Sequence, residues 1–376
     1  MSADEYDLVV VGGGIMGCET ALATAAGGMR VCVAEKSGLC SGASGVNAGT
    51  LSLQIKRVHL IPYALKGHAL WAAAGDSIGY RRTGGFTLAF NASEADLLEE
   101  RMVAKRGAGA PIEMVSVDFV KAREPAVSAK IVAASWCAED GYANSSMSGA
   151  YYRSRLRQAG VSVQEHSQVS AIDRRERGFS LVTPTGVLHA KRVLLACGAW
   201  LQQAGRMLGA DLPVHARVNT VSVTDRMPHF LNGVIGHATG MLTLKQKADG
   251  TVLIGGGWQG TGVPERTAGT VLLDTLLPNL GLACFVVPQL AKSRLVRSWT
   301  GYEGHTPDFY PLAGPAPGVE GAFVLGCVRG GYTIGPYIGR LMGQLILGEV
   351  PELPLFDPAR FLETRAADLH AAGDCL

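Results

Sequence analysis

The sequence has no excess of either charge: 34 lysines and arginines stand against 32 acids in 376 residues. No strong field is therefore available to gather nucleic acid or an anionic membrane surface, and recognition must come from a local site. The eight cysteines (Cys18, Cys32, Cys40, Cys137, Cys197, Cys284, Cys327 and Cys375) contain no C-x-x-C pair. That argues against a zinc or iron–sulfur site, so no metal is expected, and a reduced intracellular thiol population follows. H-E-x-x-H and a complete G-x-S-x-G are missing too, which removes the metallohydrolase and serine-hydrolase readings. The longest uncharged run, Ser37 to Ile55, is full of Gly, Ser, Asn and Thr and would make a poor membrane helix. The chain enters a strand within a few residues of its start, leaving no space for a signal core; a soluble cytoplasmic protein is expected.

What is present is a chain with 47% hydrophobic residues, long enough for two domains. Asp7 to Val11 reads as a buried strand, Ile15 to Ala26 as a helix and Arg30 to Glu35 as a second strand, one βαβ unit. Helices are expected over Pro62 to Gly79 and Ser93 to Gly107, the latter started by Ser93 with Asp96 three residues on. Arg81 to Phe90 has the content of a strand. After Ser146 a helix runs to Ala159, followed by short strands and an apolar one, Lys191 to Trp200. Strands follow near Val214 to Thr224 and Thr251 to Gly255, then a helix around Thr267 to Leu280. Ala322 to Cys327 returns as a buried strand and Thr333 to Leu347 as a long helix. No internal repeat or low-complexity linker occurs, so two interleaved domains are expected.

In Gly12-Gly13-Gly14-Ile15-Met16-Gly17 the first glycine permits a tight turn, the second lets backbone approach a pyrophosphate, and the third lets helix and strand pack closely. The helix N-terminus then presents its unpaired amides to phosphate. Glu35 closes the second strand, where an acid can accept from both hydroxyls of an adenosine ribose. Strand, glycines, helix, strand and acid in this order make a strong dinucleotide signal. NAD and FAD share it. Three further glycine-rich stretches favour the larger planar ligand: Ser41 to Leu51, Leu194 to Trp200, and Leu325 to Pro336.

With these blocks and "RSWTGYEGHTPDFYPLAGPAPGVEGAFVLGCVRGGYTIGP", the chain resembles the D-amino-acid-oxidase-like (DAO) FAD-dependent oxidoreductases over nearly its whole length. "NAGTLSLQ" and "GYEGHTPD" look most like the β subunits of opine and D-hydroxyproline dehydrogenases, beside glycine and sarcosine oxidases. The resemblance implies an α/β fold: a discontinuous, Rossmann-like FAD domain of the glutathione-reductase type (residues 1–84, 146–214 and 298–376) with an interleaved mixed-sheet substrate domain (85–145 and 215–297). By matching position, Gly12, Gly14, Ile15, Met16, Gly17, Glu35 and Lys36 would hold adenosine and pyrophosphate. Ala43, Ser44, Asn47, Ala48, Gly49 and Leu51 would line the flavin, and Val169 would touch the adenine. Ala196, Cys197, Gly198 and Trp200 would back the cofactor, while Arg329, Gly330, Gly331, Tyr332, Thr333 and Ile334 would meet the pyrimidine end of the ring.

The implied reaction moves a hydride from the carbon next to nitrogen onto flavin N5, and the cofactor does the difficult part. The helix opening at Gly330-Gly331 would aim its positive end at the ring, or else only pack on the sheet. Where the glycine-oxidase branch reads G-x-R-P-x-T, this chain reads Gly301-Tyr302-Glu303-Gly304-His305-Thr306, with Glu303 in the arginine's place. Glu303 could face a cationic substrate group or a partner, or be structural. His305 and Tyr302 are candidates for the active site or a second-cofactor surface. Arg329 and Tyr332 are candidates to hold a substrate carboxylate, and Gln54 and His59 to reach the substrate. The position matching the oxygen-activating lysine of the sarcosine-oxidase branch reads as Leu253, which implies slow reaction with oxygen. Gly301 stands where that branch attaches FAD through cysteine, so the FAD is expected to be non-covalent. The expected protein is thus an amine dehydrogenase for an N-substituted or cyclic amino acid, with α and γ subunits and a second flavin at a subunit interface as open possibilities. A stand-alone oxidase releasing hydrogen peroxide, or an electron-transfer or assembly subunit holding FAD, are the competing readings.

Overall fold

Leu8-Val9-Val10-Val11 alternates between two apolar cores, which is why the run carries no polar residue. Leu8 and Val10 pack with Val31, Val33 and Leu194 on one face, and Val9 and Val11 with Cys32, Ala34 and Leu195 on the other. A strand covered on both faces belongs in a parallel sheet. In the computed structural model, which describes residues 5–264, 268–326 and 329–362, this strand (Glu5–Val11) lies between Val31–Ala34 and Gly186–Leu195, parallel to both. Ser162–Gln164 and Ala322–Gly326 extend the parallel set at either side. Antiparallel strands, Leu312–Pro315 on one and the hairpin Ala171–Arg174 with Phe179–Thr183 on another, complete eight.

The first helix, Ile15–Ala26, is clamped to the last, Gly331–Leu347, through small residues. A Cβ on Gly343 would come within 2.5 Å of the Ala23 Cβ, and the Thr20 hydroxyl donates to the Gly339 carbonyl at 2.9 Å. The two ends of the sequence thereby form one layer over the sheet, and Ile61–Ala74 packs beside them.

A second eight-stranded sheet runs in the order Leu295–His305, His215–Thr224, Val252–Gly255, Thr243–Gln246, Val234–His237, Gly85–Ala89, Ala133–Cys137, Ile112–Val115. All neighbours are antiparallel except Val234–His237 with Gly85–Ala89. The boundary expected at residue 298 falls inside the strand Leu295–His305. That strand pairs with His215–Thr224 from end to end, so 298–305 belongs to this sheet rather than the first.

Other boundaries shift for local reasons. Helix Ala92–Gly107 starts from Asn91, whose Oδ1 accepts from the Glu94 amide at 2.9 Å while Glu94 Oε2 accepts from the Phe90 amide at 2.7 Å, so Ser93 is already helical. Asn91 thus takes the N-cap role expected of Ser93. The helix expected from Pro62 to Gly79 ends at Ala74, and the one expected from Thr267 to Leu280 runs Leu273–Val286; Thr267 and Cys327 lie outside the described residues.

Candidate active site

A cavity of about 1600 Å³ opens between the two sheets and is lined from both. At one end the glycine turn leaves no room for side chains. A Cβ on Gly12, whose φ is +108°, would sit 2.4 Å from the Ala196 carbonyl oxygen, and one on Gly17 would sit 2.2 Å from that of Gly12. Helix Ile15–Ala26 opens into this space from Gly14, which has no side chain to cap it, and with no acid in its first turn; the Ile15 amide is taken by Ser44. Its positive end therefore keeps an anion-binding face, which suits a pyrophosphate. Glu35 accepts from the Gly13 amide at 2.7 Å and the Ser37 amide at 2.9 Å. Each carboxylate oxygen has a second lone pair left for a ribose hydroxyl.

Gly14, Ile15, Met16, Lys36, Val169, Ala196, Cys197, Gly198 and Trp200 line the same end. Lys36 places its ammonium 3.1 Å from the centre of the Trp200 ring, a cation–π contact, and the Trp200 indole donates to the Pro264 carbonyl. Cys197 gives its thiol to the Val11 carbonyl, and burial pushes that thiol up to about 12, so it remains protonated.

Ala43, Ser44, Asn47 and Ala48 line the middle. The Ser44 hydroxyl accepts from the Ile15 amide at 3.0 Å, tying this loop to the nucleotide helix. Gly49 and Leu51 are behind the wall: the Gly49 amide donates to Asn47 Oδ1, and Leu51 is buried in the core. Neither residue reaches the cavity.

At the far end the candidates separate. Arg329, Gly330, Gly331 and Tyr332 line the cavity, whereas Thr333 and Ile334 are fully buried in the helix behind it. Tyr332 stacks on Trp71 with ring centres 4.6 Å apart, and its hydroxyl lies 3.3 Å from Ser148 Oγ. Burial raises that phenol, and its geometry serves the wall rather than a substrate carboxylate. His305 is outside the cavity; it stacks on Phe309 and its Nδ1 lies 3.3 Å from the Thr306 carbonyl, a hydrogen-bonded fixture. Glu303 does line it. Its Oε2 accepts from Asn219 Nδ2, and its Oε1 accepts from the Gly330 amide at 3.2 Å. Burial raises the carboxyl, while these donors and nearby Arg329 and Arg217 oppose the rise. Glu303 thus anchors the turn that opens the C-terminal helix through one oxygen and the Asn219 side chain through the other.

Three lysines and an aspartate escaped the sequence reading. Lys56 and Lys105 line the cavity; the Lys56 ammonium donates to the Gly330 carbonyl at 2.9 Å and that of Lys105 to the Gln54 carbonyl. Burial lowers each to about 8. Asp140, fully buried behind them, accepts from the Leu53 amide and from the Ser52 and Gln54 side chains. Gln54 and His59 line the cavity, and Lys56 lies in the same short segment. Lys245 is 1% exposed, donates to Thr50 Oγ1 at 2.6 Å, and is lowered by burial to about 7. It stands directly across from Leu253 on the neighbouring strand. Lys245 itself does not line the cavity, whereas Thr50, to which it donates, does.

Residues 7–345 match the family model described as FAD dependent oxidoreductase (DAO). The chain is 30% identical over 373 residues to glycine oxidase of Geobacillus kaustophilus, covering 96% of this chain and 97% of that one. It is 24% identical to a subunit of the opine oxidase of Rhizobium meliloti, over 95% of this chain and 98% of the relative. In fold it matches the crystal structure of L-proline dehydrogenase from P. horikoshii with a TM-score of 0.88 at 22% identity, covering 96% and 98% of the two chains.

Proposed function

The chain belongs to the DAO family of FAD-dependent oxidoreductases, and from that premise we propose that it is an amine dehydrogenase whose substrate is an N-substituted or cyclic amino acid. The family's activity, oxidation of an amino-acid C–N bond, is that of this protein. When bound, FAD supplies the two-electron acceptor: the C–H bond next to nitrogen gives up a hydride, and water hydrolyses the imine that remains. The glycine cradle would hold the pyrophosphate, Glu35 the ribose, and Ser44 to Ala48 the ring, with no covalent link. This chain's far end then has to bind the carboxylate, exclude water and fix the amine.

The observation that carries the reading is the replacement of an arginine by Glu303 together with its use as a turn anchor. A site that gives up this cation has to bind its substrate through others, and Arg329, Arg57 and Lys56 stand at the same end. The Rhizobium meliloti relative is one subunit of an opine oxidase; a heteromeric assembly, in which partner chains share a second flavin with this one, extends the proposal. Among the described residues no helix is long and apolar enough to cross a membrane.

A second reading, an oxidase releasing hydrogen peroxide, is favoured by Lys245. Lys245 stands behind the cavity wall and donates to Thr50, which lines it, so its charge could act through Thr50 on an oxygen species beside the ring. An amine screen run in parallel with a dye acceptor and an oxygen electrode tests both. The dehydrogenase reading expects dye reduction and a released 2-oxo acid, with oxygen uptake at least about tenfold slower. Equal oxygen uptake would overturn it in favour of the oxidase. No turnover with any amine would leave only a carrier of FAD.

A further inference from the structure

Lys56 is 4% exposed and lines the cavity at the end shared by Arg329, Gly330 and Tyr332. Its ammonium donates to the Gly330 carbonyl at 2.9 Å, the carbonyl that also accepts from the Thr333 amide in the first turn of the C-terminal helix. An ammonium has three donors, and this carbonyl is the one acceptor that Lys56 Nζ finds among the described residues. Behind the wall stand polar atoms that the fold does not use. Neither ring nitrogen of His68, which is 5% exposed, has a hydrogen-bond partner among the described residues, and the same holds for the Thr333 hydroxyl. Their helices, Ile61–Ala74 and Gly331–Leu347, touch at Gly67, where a Cβ would sit 2.1 Å from the Thr333 carbonyl oxygen. Buried polar atoms of this kind suit a water, and such a water would accept from a charged Lys56, so the site can hold this lysine in either protonation state.

Burial opposes the proton on Lys56 most and brings the group to about 8; Asp140 and Glu303 face it and favour the proton, while Arg329 and Lys105 oppose it. His68 faces it too and is lowered by burial to about 4, which leaves the imidazole neutral. Guanidinium groups do not give up a proton in this range, so Arg329 and Arg57 remain to hold a carboxylate. Lys105 is lowered as far, but its ammonium is held by the Gln54 carbonyl, within reach of Arg101, and not by the turn that opens the C-terminal helix. An amino acid arrives with its nitrogen protonated, and a nitrogen without a free lone pair cannot drive hydride loss from the neighbouring carbon. A group at this end has to take that proton.

We propose that Lys56 is the proton acceptor for the substrate ammonium. One N–H bond of the ammonium breaks as one forms on the neutral Lys56 amine, and the freed electron pair stays on the substrate nitrogen. The hydride then departs from a neutral amine, and water hydrolyses the iminium that remains. This rests on the amine-oxidation reading and adds the group that prepares the nitrogen for it.

Two pairs of amino acids test it, each with one nitrogen that is protonated at pH 8 and one that is not: proline with thiazolidine-4-carboxylate, whose ring sulfur weakens the ammonium, and sarcosine with N-(2,2,2-trifluoroethyl)glycine. Anaerobic flavin reduction in the FAD-loaded chain is followed at pH 8 in the wild type, Lys56→Met and Lys56→Arg, with whichever pair the wild type oxidises. Each comparison is between proteins on one substrate, so differences in fit cancel. With the protonated member both variants are expected to lose at least about tenfold, since neither offers a lone pair; with the unprotonated member the loss stays within about threefold. The acid limb for the protonated member is expected near 8 in the wild type and at the amine's own higher value in the variants. Arginine keeps the charge and a donor for the Gly330 carbonyl, so recovery in Lys56→Arg, or equal losses on both members, would assign Lys56 a structural or electrostatic role and overturn the proposal. Denaturant unfolding gives a readout apart from turnover. Folded Lys56 is lowered from its ordinary 10.5 to about 8, so the wild type gains stability between those values and Lys56→Met falls behind it as pH rises; parallel curves overturn the proposal as well. A folded, FAD-saturated wild type that none of the four amines reduces removes the amine-oxidation reading, and the proposal with it.

Discussion

Lys245→Met replaces a buried amine with an apolar chain of similar length, and its consequence depends on pH. In the folded protein burial brings this lysine down from its ordinary 10.5 to about 7. Between those values the unfolded chain holds the proton and the folded chain does not, so the wild type gains stability as pH rises through this window. From pH 7, where the folded lysine is about half protonated, to pH 9 the gain amounts to about 2 kcal/mol. The variant has no such proton to lose. Its stability relative to wild type is therefore highest near pH 7 and falls by about 2 kcal/mol toward pH 9. Lys56 and Lys105 contribute with the same sign in both proteins and cancel in the difference. Thr50 loses its donor in the variant, a constant offset that leaves the slope untouched. Denaturant unfolding of both FAD-loaded proteins at pH 7, 8 and 9 measures it. Parallel pH curves would mean that Lys245 keeps its ordinary proton affinity in the folded protein, against the lowering that its burial implies.

Gly17→Ala puts a Cβ 2.2 Å from the Gly12 carbonyl oxygen; FAD affinity, read by flavin fluorescence, is expected to fall at least about tenfold. Glu303→Ala strips the acceptor from the part-buried Asn219 side chain and Gly330 amide, and the loss of two hydrogen bonds to a carboxylate costs about 1–3 kcal/mol. Unfolding should show that loss, with Glu303→Gln recovering much of it by keeping one acceptor oxygen. His305→Ala is outside the cavity, so steady-state kinetics should keep kcat/KM within about twofold of wild type; a hundredfold loss would put His305 back in the site.

The nucleotide end was legible because backbone geometry dictates residue type there. Gly12 needs a positive φ and Gly17 a close approach, and both requirements show as glycine wherever they occur. Parallel strands buried on both faces show equally well, as Leu8 to Val11 does. The substrate end was not legible, because its residues come from helix Ala92–Gly107, the segment after the flavin-lining loop, and the turn at Arg329. No local pattern links Lys56 to Lys105; only the packing of the two sheets brings them to one cavity. Lys245 was missed because a lysine within a strand reads as solvated, and the matching position fell on its cross-strand neighbour, Leu253. The exchange of arginine for Glu303 was visible in the sequence, but its role as a turn anchor was not, since Gly330 lies 27 residues further on. The strand Leu295–His305 crosses the boundary that the resemblance implied at 298, because its pairing with His215–Thr224 is set by long-range register and not by any local pattern.

We propose that one cavity between the sheets brings an amine to a flavin held in the glycine cradle. Anaerobic titration of the FAD-loaded chain with secondary-amine amino acids, followed through the oxidised flavin absorbance, measures this directly. Complete loss of the yellow band is expected, with one amine oxidised for each FAD. A folded, FAD-saturated chain whose spectrum stays oxidised with every amine would contradict it.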